Sequence, residues 1–308
     1  MRRIAFLFPG QGSQYPGMGK KLFDRYDTAK EVYKEADRVL EFELSSLCFE
    51  GSNEQLQQTA LTQPAILTQS VAAYRVFLQQ FDIRPHFMAG HSLGEITALT
   101  CSGSISFADA VRLVNKRGIF MQEAMSTLSG GMSAISGVSF QVVDQVCTEV
   151  SSGTDIVSIS NNNMPNQTVI SGTLSVLELA ESRLQLLGAS IYRLKVSAPF
   201  HSVFMKDAAR KLEQELRQIR LAELEIPVIS NVRAMPYSGK SEIVELLTTQ
   251  MTSPVQWNAT MDFLVRQGVN FTLELGPQRI LRNMMRKTYA GLDSHSFDND
   301  IAALKELF

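Results

Sequence analysis

Short apolar runs alternate along the chain with longer stretches in which apolar residues recur every three or four positions. The run Ile4–Phe8 is apolar throughout and stops at Pro9-Gly10, a pattern typical of a buried strand followed by a turn. A second run, Phe87–Ala89, leads into a stretch that reads as a helix start near Glu95. Helical spacing is found in the first half of the chain at 26–40, 64–81 and 106–126. Strands that alternate with helices predict a mostly parallel sheet covered on both faces, with ligands at the carboxyl ends of its strands.

The stretch from about 130 to 197 has a different order of elements. Its pattern predicts strand, helix, strand, strand, helix and strand, at 132–135, 139–151, 156–159, 168–170, 174–187 and 191–196. This is the order of a ferredoxin-like domain. The chain then resumes helix, strand, helix, strand and helix, at 203–219, 227–232, 241–251, 271–275 and 277–288. We therefore predict an α/β catalytic domain formed by 1–128 and 198–308, with a small ferredoxin-like domain inserted at 129–197.

Composition and charge narrow the functional classes. With 308 residues and 44% hydrophobic content, the chain can bury a large core. A net charge of −2, without a dense Lys/Arg block, argues against nucleic acid as a partner. The three cysteines lack a C-x-x-C spacing, which suits reduced thiols. The first apolar run is too short for a signal peptide and no run approaches membrane-span length, so we expect a soluble cytoplasmic protein without a membrane partner.

The pentapeptide Gly90-His91-Ser92-Leu93-Gly94 matches the G-x-S-x-G nucleophile elbow. A predicted strand before it and a predicted helix after it supply the context in which this motif presents a serine on a sharp turn. We expect the two glycines to leave room for an incoming acyl group, and the Leu93 N–H to point to a developing oxyanion. The motif predicts an enzyme with Ser92 as nucleophile. A structural turn that matches by chance is the alternative.

A serine nucleophile needs a base, usually a histidine within hydrogen-bond reach. Of the four histidines, His86 precedes the elbow strand and suits a structural role, and His295 falls in a polar C-terminal loop that we expect to face solvent. His91 neighbours Ser92, but adjacent residues on a tight turn point in different directions. His201 lies where the predicted insertion returns to the core, so it is the best candidate. Capping of the following helix is the alternative for His201.

Several motifs, in family order from residue 6 to about 282, resemble the malonyl-CoA:acyl carrier protein transacylases. They are Phe8-Pro9-Gly10-Gln11-Gly12-Ser13-Gln14, Gln63-Pro64-Ala65, Gly90-His91-Ser92-Leu93-Gly94-Glu95, Arg117-Gly118, Pro199-Phe200-His201-Ser202, and Gln250 followed by Pro254, Val255 and Trp257. The resemblance implies a hydrolase-like core with a ferredoxin-like insertion. It also implies transfer of malonyl from malonyl-CoA to the phosphopantetheine thiol of an acyl carrier protein, in fatty acid or polyketide synthesis. The implied partners are coenzyme A thioester and a carrier protein, free-standing or within a polyketide synthase. We expect a monomer with no bound cofactor or metal.

The resemblance also implies roles for individual residues. Ser92 attacks the thioester, while His201 takes the serine proton and later activates the carrier thiol. The backbone carbonyl of Gln250 orients His201, since a neutral carbonyl is enough to fix the imidazole tautomer. The backbone N–H groups of Gln11 and Leu93 form the oxyanion hole, where one donor is worth ~3 kcal/mol.

Substrate selection is implied to rest on Arg117, whose planar guanidinium suits the free carboxylate of malonyl. Arg117 falls about 80° from the centre of the apolar face of its predicted helix, so an arginine that snorkels to solvent is the alternative. Phe200 is implied to fill the space that a 2-methyl branch needs, with ordinary core packing as its alternative. Gln63, His91 and Asn162 are expected to line the site and bind substrate.

The loop Gly10-Gln11-Gly12 invites two other interpretations, and both fail. No P-loop spacing exists around it, and a dinucleotide fingerprint would need Gly or Ala where Tyr15 stands. An oxyanion loop explains it better.

Three departures from the family pattern leave the pathway open: Ile96 in place of an aromatic residue, Gln256 in place of an arginine, and polar neighbours around Asn162. At these three positions the chain resembles free-standing acyltransferases and acyl hydrolases of polyketide pathways. A proofreading acyl hydrolase that uses the same dyad with water is therefore an alternative, and a non-catalytic carrier-docking scaffold is a second. Carrier docking is expected to use basic side chains near the cleft mouth. The candidates are Arg193, Lys195 and Lys206.

Overall fold

The computed structural model describes residues 2–125, 129–194, 196, 198–299 and 301–307. Its strands are β1 Ile4–Phe8, β2 Phe87–Gly90, β3 Gly130–Ser136, β4 Val157–Met164, β5 Gln167–Thr173, β6 Ser190–Arg193, β7 Val228–Ile229, β8 Phe271–Leu275 and β9 Asp293–Phe297. Its α-helices are α1 Lys20–Arg25, α2 Asp27–Leu40, α3 Leu44–Glu50, α4 Asn53–Leu56, α5 Thr59–Phe81, α6 Leu93–Cys101, α7 Phe107–Met125, α8 Phe140–Val150, α9 Leu174–Leu186, α10 Lys206–Leu216, α11 Ile243–Gln250, α12 Trp257–Arg266, α13 Ile280–Thr288 and α14 Ala302–Lys305. Short 3₁₀ turns at Val203–Met205 and Lys240–Glu242 lead into α10 and α11.

The larger sheet, sheet A, has the strand order β7-β2-β1-β8-β9, and its strands pair in parallel. Successive side chains of β1 point to opposite faces, as strand geometry requires. Phe6 and Phe8 join the core that contains α5, whereas Ala5 and Leu7 pack with α12 and α13 on the other face. A strand buried on both sides explains the unbroken apolar run at Ile4–Phe8. The predicted mostly parallel sheet, covered on both faces, is confirmed.

The smaller sheet, sheet B, is antiparallel with the order β4-β5-β3-β6. With α8 and α9 it has the β-α-β-β-α-β order of a ferredoxin-like domain, so the predicted fold class is confirmed. The residues at the predicted boundaries of the insertion, 128 and 197, lie outside the described residues. The domain limits therefore stay predictions.

A short stretch of backbone pairing joins strand β4 of sheet B to the loop before α12. Val255, in the loop before α12, donates its N–H to the Ser160 carbonyl at 2.9 Å and accepts from the Asn162 N–H at 2.9 Å. This pairing brings β4 of sheet B over the carboxyl ends of β1 and β2 in sheet A. A cleft forms between the sheets at that point.

Several elements differ from the sequence predictions. Helices α1, α3, α4, α12 and α14 and strand β9 were not predicted. Strand β9 is a polar edge strand whose alternation is weak. Helix α5 begins at Thr59, whereas the sequence pattern predicts a start at Pro64, five residues later. A proline inside a helix frees the carbonyl four residues earlier. That carbonyl, on Ala60, accepts instead from the Asn115 side chain at 2.9 Å, so the helix continues through the proline.

Within the described residues, no helix combines the length and the apolar character needed to cross a membrane.

Candidate active site

A cavity of about 310 Å³ lies between the two sheets, at the carboxyl ends of β1 and β2. Sheet A and its helices supply Gly10, Gln11, Gln63, His91, Ser92, Leu93, Arg117, Met121, Phe200, His201, Ile280, Leu281 and Met284. Sheet B and its flanks supply Met132, Ala134, Asn161, Asn163, Gln167, Val169, Leu194 and Val196. Most of these side chains are apolar, and the polar ones gather around Ser92. This is the arrangement expected of a substrate site in which a few groups do chemistry.

Ser92 sits on the turn between β2 and α6 with φ 53° and ψ −105°, a conformation that a non-glycine residue rarely adopts. Holding a residue there costs about 1–3 kcal/mol, so the surroundings must enforce it. We expected the flanking glycines to leave room for the acyl group, and this was wrong. A Cβ on Gly90 would lie 1.9 Å from the Gly94 carbonyl oxygen, and one on Gly94 would lie 2.0 Å from that of Phe8. The glycines let the backbone of the elbow pack on itself and on β1.

Ser92 and His201 are brought together from positions 109 residues apart. The Ser92 Oγ lies 2.8 Å from the His201 Nε2, and the His201 Nδ1 lies 2.8 Å from the Gln250 backbone oxygen. A carbonyl oxygen only accepts, so Nδ1 carries the proton and Nε2 is free to accept the serine proton. His201 is itself held at φ 56°. The pair therefore rests on two strained residues, and no acidic side chain of the described residues is hydrogen-bonded to its imidazole.

Burial, and next to it the nearby positive charge of Arg117, lower the pKa of His201 to about 3, with a smaller contribution from His91. The imidazole is therefore neutral at physiological pH, the form that acts as a base. A cation so close to the base also makes that base weaker than an ordinary histidine.

Arg117 is buried, with 1% of its surface exposed, and its guanidinium points at Ser92. Nη1 donates to the Gln63 Oε1 at 2.9 Å, and Nη2 donates to the Ser92 Oγ at 3.1 Å and to the Gln250 Oε1 at 3.0 Å. Its Nε has no hydrogen-bond partner among the described residues. Burial lowers the pKa of Arg117 to about 10, while Glu95 opposes that shift. In the described part of the chain this cation forms no ion pair with a carboxylate, which a buried charge ordinarily needs.

Helix packing places Arg117 there rather than at the edge of the core. A Cβ on Gly118 would lie 2.6 Å from the Ala60 Cα, so only glycine lets α7 come this close to α5. That approach brings Arg117 within reach of Gln63. The snorkelling alternative is excluded.

The predicted oxyanion donors, Gln11 and Leu93, both line the cavity. Leu93 is the first residue of α6, so its N–H has no acceptor within the helix. A Cβ on Gly10 would lie 2.4 Å from the His91 carbonyl oxygen, which explains how the Gly10–Gln11 loop rests against the elbow. Both residues therefore lie at the cavity that contains Ser92, and their role as oxyanion donors stays a prediction.

The structure corrects one predicted site residue, Asn162. Its neighbours Asn161 and Asn163 line the cavity, whereas Asn162 does not. Side chains alternate along a strand, so an error of one position moves the prediction to the wrong face. The Asn163 Oδ1 lies 2.9 Å from the His91 Nε2, so His91 contacts sheet B beside the nucleophile.

The other predicted residues fall as follows. Phe200 is buried and lines the cavity, as does Gln63, whose Nε2 also lies 3.2 Å from the Met121 sulfur. The Nδ1 of His86 accepts from the Ile4 N–H at 3.2 Å, in keeping with a structural role. His295 was wrongly placed in a solvent-facing loop: it lies in β9 and stacks on Phe271.

Of the candidate docking cations, Arg193 already pairs with Glu181, their Nη2 and Oε2 atoms 2.5 Å apart. Lys206 opens α10 and is exposed. Lys195 lies outside the described residues. Carrier docking through these side chains stays a prediction.

Four buried polar residues behind the elbow were missed by the sequence reasoning: Glu95, Asn231, Tyr237 and the side chain of Gln250. Glu95 accepts from the Gln250 Nε2 at 2.7 Å, the Asn231 N–H at 3.1 Å and the Tyr237 hydroxyl. Burial raises the pKa of Glu95 to about 7, although these three donors oppose the shift. Glu95 was visible in the sequence as a charged residue in an otherwise apolar stretch after the elbow. Asn231 and Tyr237 carry no such local signal.

Comparison with known proteins shows the family to which this chain belongs. Residues 5–301 match the family described as acyl transferase domain. The malonyl CoA-acyl carrier protein transacylase of Bacillus subtilis strain 168 is 43% identical over 313 residues, covering 99% of this chain and 98% of that protein. The crystal structure of an acyl carrier protein S-malonyltransferase from Vibrio cholerae superposes with a TM-score of 0.95 at 37% identity, covering 99% of this chain and 100% of the other. A malonyl-transacylase in complex with its type II polyketide synthase acyl-carrier protein superposes with a TM-score of 0.95 at 38% identity, covering 99% of both chains.

Proposed function

This chain belongs to the acyl transferase domain family, and on that premise we propose that it is a malonyl-CoA:acyl carrier protein transacylase. It transfers malonyl from coenzyme A to the phosphopantetheine thiol of an acyl carrier protein, through an ester on Ser92. The observation that carries this proposal is the buried Arg117 guanidinium, 3.1 Å from the Ser92 Oγ and without a carboxylate ion pair in the described chain. Malonyl supplies the missing carboxylate next to its reacting carbonyl.

In the first half-reaction the Ser92 Oγ attacks the thioester carbonyl while its proton moves to the His201 Nε2. The carbonyl oxygen becomes an oxyanion, which the N–H groups of Gln11 and Leu93 stabilise. When the intermediate collapses, the C–S bond breaks and the coenzyme A sulfur leaves with the proton from His201. The Gln250 carbonyl stabilises the imidazolium that forms between these two proton transfers.

The substrate carboxylate also changes the dyad. Arg117 Nη2 donates to the Ser92 Oγ in the free protein, a contact that makes this oxygen less nucleophilic. A carboxylate bound at Arg117 competes for that donor and offsets the positive charge that weakens His201. Malonyl binding therefore frees the nucleophile and strengthens the base together. An acetyl thioester has no carboxylate and does neither.

In the second half-reaction the carrier thiol gives its proton to the His201 Nε2 and attacks the ester carbonyl. The C–O bond to Ser92 breaks, and the Ser92 oxygen takes the proton back. The same acid–base pair serves both halves, and the cycle is balanced without a cofactor. Water in place of the thiol would give a hydrolase, and the fate of the acyl group in the test below separates the two reactions.

The carrier partner rests on the relatives' names and on the solved complex with a type II polyketide synthase carrier. Fatty acid and polyketide synthesis both use this transfer. Cys48, Cys101 and Cys147 are free thiols, which suits a reducing compartment, and we propose the cytoplasm.

The test is the mass of the intact protein after mixing with malonyl-CoA, acetyl-CoA or methylmalonyl-CoA. We expect a malonyl adduct that is absent in Ser92→Ala, and transfer of that malonyl to added phosphopantetheinylated carrier. Release of free malonate with little malonyl-carrier would establish the hydrolase instead. The lack of any adduct on Ser92 would refute both and favour a scaffold.

A further inference from the structure

One carboxylate, Glu95, is connected to both members of the dyad although it touches neither. It lies three residues after Ser92, in the first turn of α6, and is fully buried. Its Oε2 accepts two hydrogen bonds, from the Gln250 Nε2 at 2.7 Å and from the Asn231 N–H at 3.1 Å. Its Oε1 accepts from the Tyr237 hydroxyl. Asn231 and Gln250, which donate to Oε2, are also hydrogen-bonded to the backbone of the elbow.

These hydrogen bonds involve the peptide groups on either side of the Ser92 Cα. The Asn231 Oδ1 accepts the Ser92 N–H at 2.7 Å, and the Asn231 Nδ2 donates to the Gly90 carbonyl at 2.7 Å. The Gln250 Nε2 donates to the Ser92 carbonyl at 3.0 Å. The strained turn is therefore hydrogen-bonded to two residues that both donate to the Glu95 Oε2, Asn231 through its backbone N–H and Gln250 through its side-chain amide.

Gln250 extends the connection to the base and to the cation. Its backbone oxygen accepts from the His201 Nδ1 at 2.8 Å, and its Oε1 accepts from the Arg117 Nη2 at 3.0 Å. An amide can be turned either way, but the turned form would bring its NH₂ against the Arg117 donor. Glu95 accepts from the Gln250 NH₂, so it selects the orientation that presents an oxygen to Arg117.

We propose that Glu95 is a positioning residue for the transfer reaction, because its Oε2 holds Asn231 and Gln250 in the arrangement that aligns Ser92, His201 and Arg117. The inference rests on the proposed function only for the identity of the acyl group. Its physical content is that the site needs an acceptor at Oε2, and that the negative charge is not itself required.

Three variants separate this role from general stabilisation of the fold. Glu95→Gln keeps an oxygen at Oε2 and turns its NH₂ towards Tyr237, whose hydroxyl then accepts. Glu95→Leu has similar volume but no acceptor. Tyr237→Phe is the matched control, because it removes the contact on Oε1 and leaves both bonds to Oε2. None of these changes touches the substrate.

The measurement is the single-turnover rate of Ser92 acylation by malonyl-CoA and by acetyl-CoA, with kcat and KM for each variant. We expect Glu95→Gln and Tyr237→Phe to stay within a few-fold of the unaltered protein. In Glu95→Leu we expect kcat to fall about 100-fold, the loss typical of reacting groups displaced by about 1 Å. The ratio of malonyl to acetyl rates should fall as well, since the Gln250 oxygen no longer faces Arg117 reliably.

A purely structural Glu95 gives a different pattern. Glu95→Leu would then lose activity in proportion to its unfolded fraction, measured by circular dichroism, with KM and the malonyl-to-acetyl ratio unchanged. That result overturns the proposal, as does a Glu95→Gln variant as impaired as Glu95→Leu. If Glu95→Leu does not fold, Glu95→Asp decides in its place, because its carboxylate is one methylene too short to hold both partners. If the unaltered protein fails to load malonyl, the proposed function fails, and these comparisons are made with whichever acyl thioester loads Ser92.

Discussion

Arg117→Ala offers the sharpest test of how this site selects its acyl group. In the free protein the guanidinium is buried, its Nε has no hydrogen-bond partner among the described residues, and its contacts with Gln63, Ser92 and Gln250 are to neutral oxygens. A malonyl carboxylate would form a direct ion pair with it, which no carboxylate of the described residues does. Removing one member of such a buried, hydrogen-bonded charge pair costs about 2–5 kcal/mol. At about 1.36 kcal/mol per tenfold, kcat/KM for malonyl loading should fall by about 30- to 5,000-fold.

The acetyl reaction should respond in the opposite direction. Loss of Arg117 removes the donor on the Ser92 Oγ and the cation that lowers the pKa of His201, so acetyl loading should be unchanged or faster. Arg117→Lys keeps the charge but lacks the planar fork, and should lie between the two. Lys116→Ala is the control, because it removes a cation from the same helix. The Lys116 side chain is exposed, and its Nζ lies 2.7 Å from the Glu215 Oε2. Equal losses for malonyl and acetyl, or a malonyl preference that survives in Arg117→Ala, would refute the reasoning.

Three further predictions follow from single observations. Because the pKa of His201 is about 3, protonation of this histidine should not lower the rate of malonyl loading between pH 8 and pH 5. Stopped-flow measurement of the loading rate tests this. A rate that falls near pH 6.5, both in the unaltered protein and in Glu95→Gln, would contradict it. Gly94→Ala should unfold or inactivate the protein, since its Cβ would lie 2.0 Å from the Phe8 oxygen, whereas Gly291→Ala, with nothing within 4 Å, should match the unaltered protein in melting temperature and acylation. Burial raises the pKa of Glu274 from 4.5 to about 7, so this carboxyl holds its proton more tightly in the folded state and contributes stability below about pH 4.5 that is lost as pH rises through about 7. Denaturant titrations of Glu274→Gln should show a smaller loss of stability over that range, and an unchanged slope would disprove the assignment.

The strands and helices closest to the site were largely predictable from the chain itself. The unbroken apolar run of β1, the elbow motif and the ferredoxin-like order of the small domain are local patterns, and each reflects burial of one element against its neighbours. Ser92 and His201 were also identifiable, because the elbow requires a defined local context and the four histidines offered few choices for a base. The Asn162 error shows the limit of this approach. The pattern predicted a strand at 156–159, which ends before Asn162, whereas β4 runs from Val157 to Met164, and it did not indicate which face of the strand meets the cavity.

The sequence by itself determined most of the elements around the site, the family resemblance and the proposed pair Ser92 and His201, since these depend on residue spacing along one chain. Only the tertiary structure decided the electrostatics of the site. The burial of Arg117 depends on the absent side chain of Gly118, which lets two helices touch. The hold on the elbow depends on Glu95 meeting Asn231 and Gln250, which lie 136 and 155 positions further on. Hydrogen bonds and desolvation act between atoms a few ångströms apart, and positions so far apart in the chain become neighbours only when the whole chain has folded.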